Sequence, residues 1–383
     1  MHQNAQDLAT IMTLESGKPL SESLGEVQYA RSFLDYFAAE AVRSTSAGGG
    51  FLVPTPFSKP NDGGGGGPKG HILAVQQAVG VSALIAPWNF PLAMITRKVG
   101  PALAVGCTAV AKPSELTPLS AIALKNLADR AGIPSGVFEL PSLILSPSLS
   151  VPIEKYSTAD TDNTPAVGTE FSTNPIVKKI SFTGSTRVGK LLMNQASDTV
   201  KRVSMELGGN APFVVFADAD IDQAVDAAMS SKFRNAGQTC VCADRFLVHS
   251  SVHDEFVAKL AQMVRSLRVG PGIRPETQMG PLISSTGKET VAKKVAQALA
   301  DGATLSEELA LPDGLGPQFY PPTILTDVSP ESDIWKTETF GPVAAIRSFD
   351  SEEEALEVAN DCEVGLASYL CTNDLSRAFR FSH

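Results

Sequence analysis

The chain has 383 residues, enough for two or more domains at roughly 150 residues each. It is 43% hydrophobic and 19% charged, so a packed core is expected. Its net charge of −10 argues against nucleic acid and against an anionic membrane surface as partners. Five cysteines (Cys107, Cys240, Cys242, Cys362 and Cys371) are an odd number in a long chain, which is no disulfide framework. No pair of them with a nearby histidine has zinc spacing, so no metal is expected. No stretch approaches ~18 consecutive apolar residues, and the polar start Met1-His2-Gln3-Asn4 is no signal peptide.

Residues 5–43 read as two helices broken at Gly17-Lys18-Pro19, the second with Leu24, Val27, Phe33, Leu34 and Phe37 on one stripe. Residues 44–70 form a Gly-, Ser- and Pro-rich arm with a run of glycines from Gly63 to Gly67. Residues 72–86 alternate into an apolar strand, closed by Pro87-Trp88-Asn89-Phe90-Pro91. That stiff turn stands where open α/β sheets place ligands. Asn89 there is either a turn former or a donor to a developing oxyanion. A helix over 93–105, a strand over 108–111, the turn Lys112-Pro113-Ser114-Glu115 and a helix from Pro118 continue a βαβ rhythm. Residues 141–166, rich in Ser, Pro, Thr and Asp, interrupt it as a long loop or insertion.

Lys178 to Thr183 reads as a strand, and Gly184-Ser185-Thr186 as a tight turn into a helix, either a plain turn or a phosphate cradle. Glu206 stands between Met205 and Leu207, before Gly208-Gly209. It is either an exposed, paired acid or a base tuned by apolar company. Phe213 to Phe216 is a strand, and Asp218-Ala219-Asp220 can cap the helix that follows. That helix delivers Phe233-Arg234-Asn235-Ala236-Gly237-Gln238-Thr239-Cys240-Val241-Cys242, a polar bend with two thiols. Such a bend can hold a thiolate at a cleft edge, although a cysteine is more often a small packed hydrophobe. Strand 246–248, helices 253–268 and 286–301, and loop-rich strands over 302–333 follow. Glu338-Thr339-Phe340-Gly341-Pro342 is a further polar turn, and a helix covers 351–361. Both ends break off within helical patterns, at Leu8-Ile11-Met12 and at Leu375-Ala378-Phe379, and look cut.

Taken together and in order, these turns resemble the aldehyde dehydrogenase superfamily. The residues that carry the likeness are Pro87 to Pro91, Lys112 to Glu115, Phe182 to Thr186, Glu206 to Gly209, Gly237 to Cys240 and Glu338 to Pro342. Within it, Phe233 to Ala243 and Met94-Ile95-Thr96-Arg97-Lys98 look like the succinate-semialdehyde dehydrogenases. The resemblance implies two Rossmann-type α/β domains plus an oligomerisation arm. It implies a cofactor domain over 1–207, with the arm at 44–78 and an atypical insertion at 141–160, and a catalytic domain over 208–383. It also implies a homo-oligomer.

The resemblance further implies NAD(P)-dependent oxidation of an aldehyde, most simply succinate semialdehyde to succinate in GABA degradation. Cys240 would be the nucleophile and Glu206 the base. Asn89, with the Cys240 backbone N–H, would stabilise the oxyanion. Lys112 and Glu115 would hold the adenosine ribose, with Ser114 beside them. Ser185 would lie near the pyrophosphate, and Glu338 with Phe340 at the nicotinamide half. Trp88, Gly168, Phe182, Gly184, Val188 and Leu207 would line the same cleft. Arg97 and Arg234 would grip the far carboxylate, since a guanidinium fork suits a carboxylate. Glu115 would repel a 2′-phosphate, which favours NAD over NADP. Cys242 could cap Cys240 as a reducible disulfide, or be an inert packed thiol. A cytoplasmic enzyme is expected, or a mitochondrial one if a targeting segment precedes this sequence. Rival readings are a cofactor-binding remnant without turnover, a dehydrogenase for another ω-carboxy semialdehyde, and a thioesterase that uses Cys240.

Overall fold

Gly17, with φ +80, ends the first helix (α1, Ala5–Ser16), and Pro19 precedes the second (α2, Leu20–Ala41). The computed structural model describes residues 1–43, 50–54, 70–141 and 164–382. By its internal contacts the chain divides into two units. Met1–Ala5, Glu26–Thr183 and Arg187–Met205 make the first; Gln6–Gly25, Gly184–Thr186 and Glu206–His383 make the second.

The first unit contains a two-stranded antiparallel hairpin, β1 (Gly50–Pro54) with β2 (His71–Val75). Phe51, Leu52, Ile72 and Leu73 on it are exposed. The strand expected over 72–86 is in fact two: β2 ends at Val75, and β3 (Val81–Ile85) begins after Gly80, whose φ of +113 turns the chain. The Gly63–Gly67 run lies outside the described residues. So does the expected insertion at 141–160, apart from Pro141.

A sheet in the order β5 (Phe138–Glu139), β4 (Ala109–Lys112), β3, β6 (Val177–Thr183), β7 (Arg202–Glu206) follows. β5, β4, β3 and β6 are mutually parallel, as the βαβ rhythm predicts. The helices between them are α3 (Ala93–Ala104), α4 (Pro118–Arg130, with Pro at its start), α5 (Thr164–Thr173) and α6 (Thr186–Ser197). Register matters here. Ile85 pairs with Lys112 on one side and with Phe182 on the other. The turns 87–91 and 112–115 and the end of β6 therefore lie side by side at the carboxyl ends of adjacent parallel strands. That edge is where open α/β sheets bind ligands.

The second unit is built on a six-stranded sheet in the order β10 (Thr304–Glu308), β11 (Thr323–Thr326), β12 (Val343–Phe349), β9 (Ala243–His249), β8 (Ala211–Val215), β13 (Tyr369–Cys371). Only the β10–β11 pair is antiparallel. Its central strands are apolar on both faces, as a covered parallel sheet requires. Successive residues alternate between two cores. Phe213, Val215, Phe246, Val248, Ala344 and Ile346 pack with α7 (Ile221–Lys232) and α8 (Ser250–Arg265). Val214, Leu247, Leu325 and Ala345 pack with α9 (Ser285–Ala300), α10 (Asp333–Lys336) and α11 (Glu352–Asn360). Phe256, Leu260 and Val264 recur at helical spacing on α8, and Val291, Val295 and Ala298 on α9. The expected acid cap is present: Asp220 accepts from the Gln223 N–H at 3.1 Å. α12 (Leu375–Ser382) closes the described chain.

Candidate active site

The bend after α7 is left-handed over three residues in a row. Asn235 has φ 51, Ala236 φ 53 and Gly237 φ +75. For the two non-glycine residues this costs roughly 1–2 kcal/mol each, so other contacts must hold the bend. The Asn235 N–H donates to Glu22 Oε2 at 2.9 Å. The Gln238 side chain donates to the Asn235 carbonyl at 2.9 Å and accepts from the Ile283 N–H at 2.8 Å. A Cβ on Gly237 would stand 2.1 Å from the Gly341 carbonyl oxygen, and one on Gly209 would stand 2.5 Å from the Cys240 carbonyl oxygen. The loop is thus fixed between two backbone segments that tolerate no side chain there.

Cys240 emerges from this loop half-buried, while Cys242 is 1% exposed. Burial, and then the Glu338 carboxylate, push the Cys240 thiol up, so the resting side chain keeps its proton. The Cys242 thiol faces the Thr239 hydroxyl at 2.8 Å and the Gly237 carbonyl at 3.2 Å. Cys242 is thus a packed thiol, and both cysteines are free. Arg234, at the start of the bend, is exposed.

Glu338 is a strongly perturbed acid of this unit. Burial, and then the charge of Asp244, push its carboxyl up to about 7, against the Gly209 N–H, Lys232 and Lys294. Its Oε2 lies 2.7 Å from where a Cβ on Gly208 would be. Its Oε1 is buried without a hydrogen-bond partner among the described residues. A buried, partnerless carboxylate oxygen suits a hydroxyl donor such as a ribose. Phe340, two residues on, has φ 51, in the left-handed region. Below this turn Lys232 and Asp244 form a fully buried ion pair at 2.6 Å. Burial works most strongly against the Lys232 charge, but Asp244, Cys242 and Glu338 together hold the ammonium's pKa up. Glu206 and Leu207, at and just beyond the end of β7, are half-buried, and the Glu206 carbonyl accepts from the Gly184 N–H at 3.1 Å. Glu338 is half-buried, as Glu206 is. Ser185, at the start of α6, is exposed.

The first unit places its own set. Asn89 is 5% exposed and accepts from the Phe90 N–H at 3.1 Å; Trp88 is half-buried on the same turn. Lys112 pairs with Glu115 at 3.4 Å, and burial lowers its pKa against that partner. Ser114 accepts from the Leu116 N–H at 3.2 Å. Arg97 is half-buried, its guanidinium 5.7 Å from the Phe33 ring centroid. Phe182 is buried at the end of β6, and Val188 is half-buried on α6. Gly168 lies on α5, with Leu192 3.5 Å from where its Cβ would be. No group of three His, Cys, Asp or Glu able to hold a metal occurs among the described residues.

Several supports have no signature in the sequence. Glu22 reads there as one more helix acid, and Lys294 as a surface lysine beside Lys293. Only the fold brings Glu22 to the Asn235 amide, or Lys294 to the 337–338 turn. Glu26, 3% exposed, likewise accepts the Leu92 and Ala93 N–H groups at the start of α3, at 2.9 and 3.1 Å.

The model of the aldehyde dehydrogenase family matches residues 1–383. The chain belongs to the aldehyde dehydrogenase family. It is 45% identical over 379 residues to the NADP(+) succinate-semialdehyde dehydrogenase 1 of Schizosaccharomyces pombe, covering 99% of this chain and 70% of that relative. It is 46% identical over 380 residues to glutarate-semialdehyde dehydrogenase of Pseudomonas aeruginosa, covering 99% of this chain and 72% of that relative. The crystal structure of succinate-semialdehyde dehydrogenase from Burkholderia pseudomallei superposes with a TM-score of 0.87 at 47% identity. That match covers 99% of this chain and 72% of that one. This aldehyde dehydrogenase thus has the α/β fold with parallel sheets that its sequence implies. Among its described residues no helix is long and apolar enough to cross a membrane.

Proposed function

We propose that this aldehyde dehydrogenase oxidises an ω-carboxy aldehyde, succinate semialdehyde ahead of glutarate semialdehyde, to the carboxylic acid. The observation that carries the reading is a half-exposed Cys240 on a backbone-locked loop, within electrostatic reach of Glu206 and Glu338. Cys240, once deprotonated, adds through sulfur to the aldehyde carbon, and the carbonyl electrons pass to oxygen. We assign the Cys240 backbone N–H and the Asn89 side chain to that oxyanion. When the oxyanion collapses, the carbon loses hydrogen with its electron pair and a thioester remains. NAD or NADP, when bound, supplies the acceptor for that pair. Glu206 takes a proton from water, the water oxygen attacks the thioester, and the carbon–sulfur bond breaks to release the acid.

Arg97 and Arg234 are assigned to the substrate's far carboxylate, and Glu338 and Phe340 to the nicotinamide half of the cofactor. Trp88, Lys112, Ser114, Glu115, Gly168, Phe182, Gly184, Ser185, Val188 and Leu207 are assigned to the remaining cofactor surface. The partnerless Glu338 Oε1 supports a ribose contact. The Lys112–Glu115 pair bears on the cofactor's identity. A carboxylate there favours a free 2′-hydroxyl and NAD, whereas relatives are named for NADP(+). The exposed apolar hairpin β1–β2 supports self-association, which light scattering in solution tests.

The deciding measurement mixes the purified protein with succinate semialdehyde, glutarate semialdehyde or hexanal, and NAD or NADP, and follows absorbance of the reduced cofactor. Turnover is expected with the two semialdehydes and falls by about a thousandfold or more in Cys240→Ser. Cofactor binding without reduction by any aldehyde would overturn the proposal in favour of a binding remnant. Cys240-dependent ester hydrolysis alone would point to a thioesterase.

A further inference from the structure

Lys294 is 9% exposed and belongs to none of the motifs. It lies on the face of α9 that meets the Glu338 turn. Its ammonium donates to the Thr337 carbonyl at 3.1 Å, to the Glu338 carbonyl at 2.9 Å and to the Thr337 hydroxyl, which uses all three of its donors. Asp333 Oδ2 is 3.6 Å away and offsets the charge. One turn earlier on the same helix, Val291 fills the space over Gly341: a Cβ on that glycine would stand 2.5 Å from a Val291 methyl. Two residues of α9 therefore hold both ends of the segment 337–341. The Glu338 carboxylate projects from the middle of that segment, with Oε1 buried and partnerless. The Gly341 carbonyl at its end lies against Gly237 of the cysteine loop.

We propose that Lys294 is a positioning residue: it clamps the 337–338 backbone so that the Glu338 carboxylate is held over Gly208 with Oε1 kept for a hydroxyl of the bound cofactor. This inference rests on the assignment of Glu338 to the cofactor. The groups that face Glu338 are Asp244 on β9, Lys232 at the end of α7, Lys294 on α9, the Cys240 thiol and the Gly209 N–H. Lys294 acts on Glu338 in two ways, by geometry and by its positive charge. A role in stability alone would leave the ionisation of Glu338 where it is.

The test measures cofactor dissociation constants by calorimetry from pH 5.5 to 8.5, and cofactor KM and kcat alongside. Wild-type affinity falls as the pH drops through about 7, where Glu338 takes up its proton. Lys294→Met is expected to weaken cofactor binding on the order of tenfold and to move that midpoint to higher pH, because a cation that favours the carboxylate is gone. Lys294→Arg should restore much of both, and kcat should change less than KM. If Lys294→Met lowers only the melting temperature, with dissociation constant and midpoint unchanged, the clamp is wrong. Should Lys294→Met fail to fold, Thr337→Val removes one partner of the ammonium and should weaken binding in the same direction; unchanged binding there also overturns the proposal. Glu338→Gln run in parallel separates the two claims. If it leaves cofactor binding unaltered, the cofactor role of Glu338 falls. If it weakens binding while the Lys294 variants do not, only the clamp falls.

Discussion

The two units hold their candidate groups by different means. In the first, the turns 87–91 and 112–115 leave neighbouring parallel strands, and strand register alone sets them side by side. In the second, Cys240 comes off no strand. It sits at the end of a left-handed bend held by Glu22, Gln238 and two glycines whose neighbours leave no room for a side chain. Regular register is redundant, because every ladder bond repeats the same instruction. A left-handed bend is held by a few specific contacts, so the loss of one is felt. The candidate nucleophile lies in the less redundant of the two.

Single substitutions break or sharpen that contrast. Gly237→Ala has the largest expected effect. It strains a φ of +75 and drives a methyl into the Gly341 carbonyl. It should destabilise the second unit by about 4 kcal/mol or more in chemical unfolding; a normal midpoint would show that the bend is loose. Glu22→Ala leaves the buried Asn235 N–H without its acceptor. It should cost about 1–3 kcal/mol and slow turnover more than it weakens cofactor binding. Glu338→Gln should speed iodoacetamide alkylation of Cys240 near pH 8, because the second cause that raises the thiol's pKa is a negative charge there. Below about pH 7 Glu338 is already protonated in the wild type, so the two proteins should converge; a constant ratio across pH contradicts this electrostatic account. Ser114→Ala, in the first unit, removes one acceptor from a turn that strand register already places. It should cost about 1 kcal/mol or less; a loss as large as that of Glu22→Ala would erase the contrast between the units.

Much of this was legible in advance. Gly17-Lys18-Pro19 marked the break between α1 and α2, Pro118 marked the start of α4, and Asp220 its cap on α7. The βαβ rhythm anticipated parallel strands. The reading failed where punctuation was weak. Gln76-Gln77 did not announce that 72–86 splits between a hairpin and a core strand. Neighbours in sequence left Glu206 open between an exposed acid and a tuned base, and only the family resemblance made it the base. The Glu338 carboxyl is pushed up to about 7 by burial and by Asp244, which reaches it from elsewhere in the chain, and no local pattern showed that.

The sequence by itself determined the elements, their order, the family and the residue types available for chemistry. It could do so because periodicity, caps and turn glycines act over a few residues. The tertiary structure alone decided how far the Glu338 carboxyl is pushed up, which thiol is packed away and which lysine meets the Glu338 turn. Those properties depend on desolvation and on charges that meet across more than a hundred positions of chain, as Asn235 meets Glu22, and no local pattern encodes them.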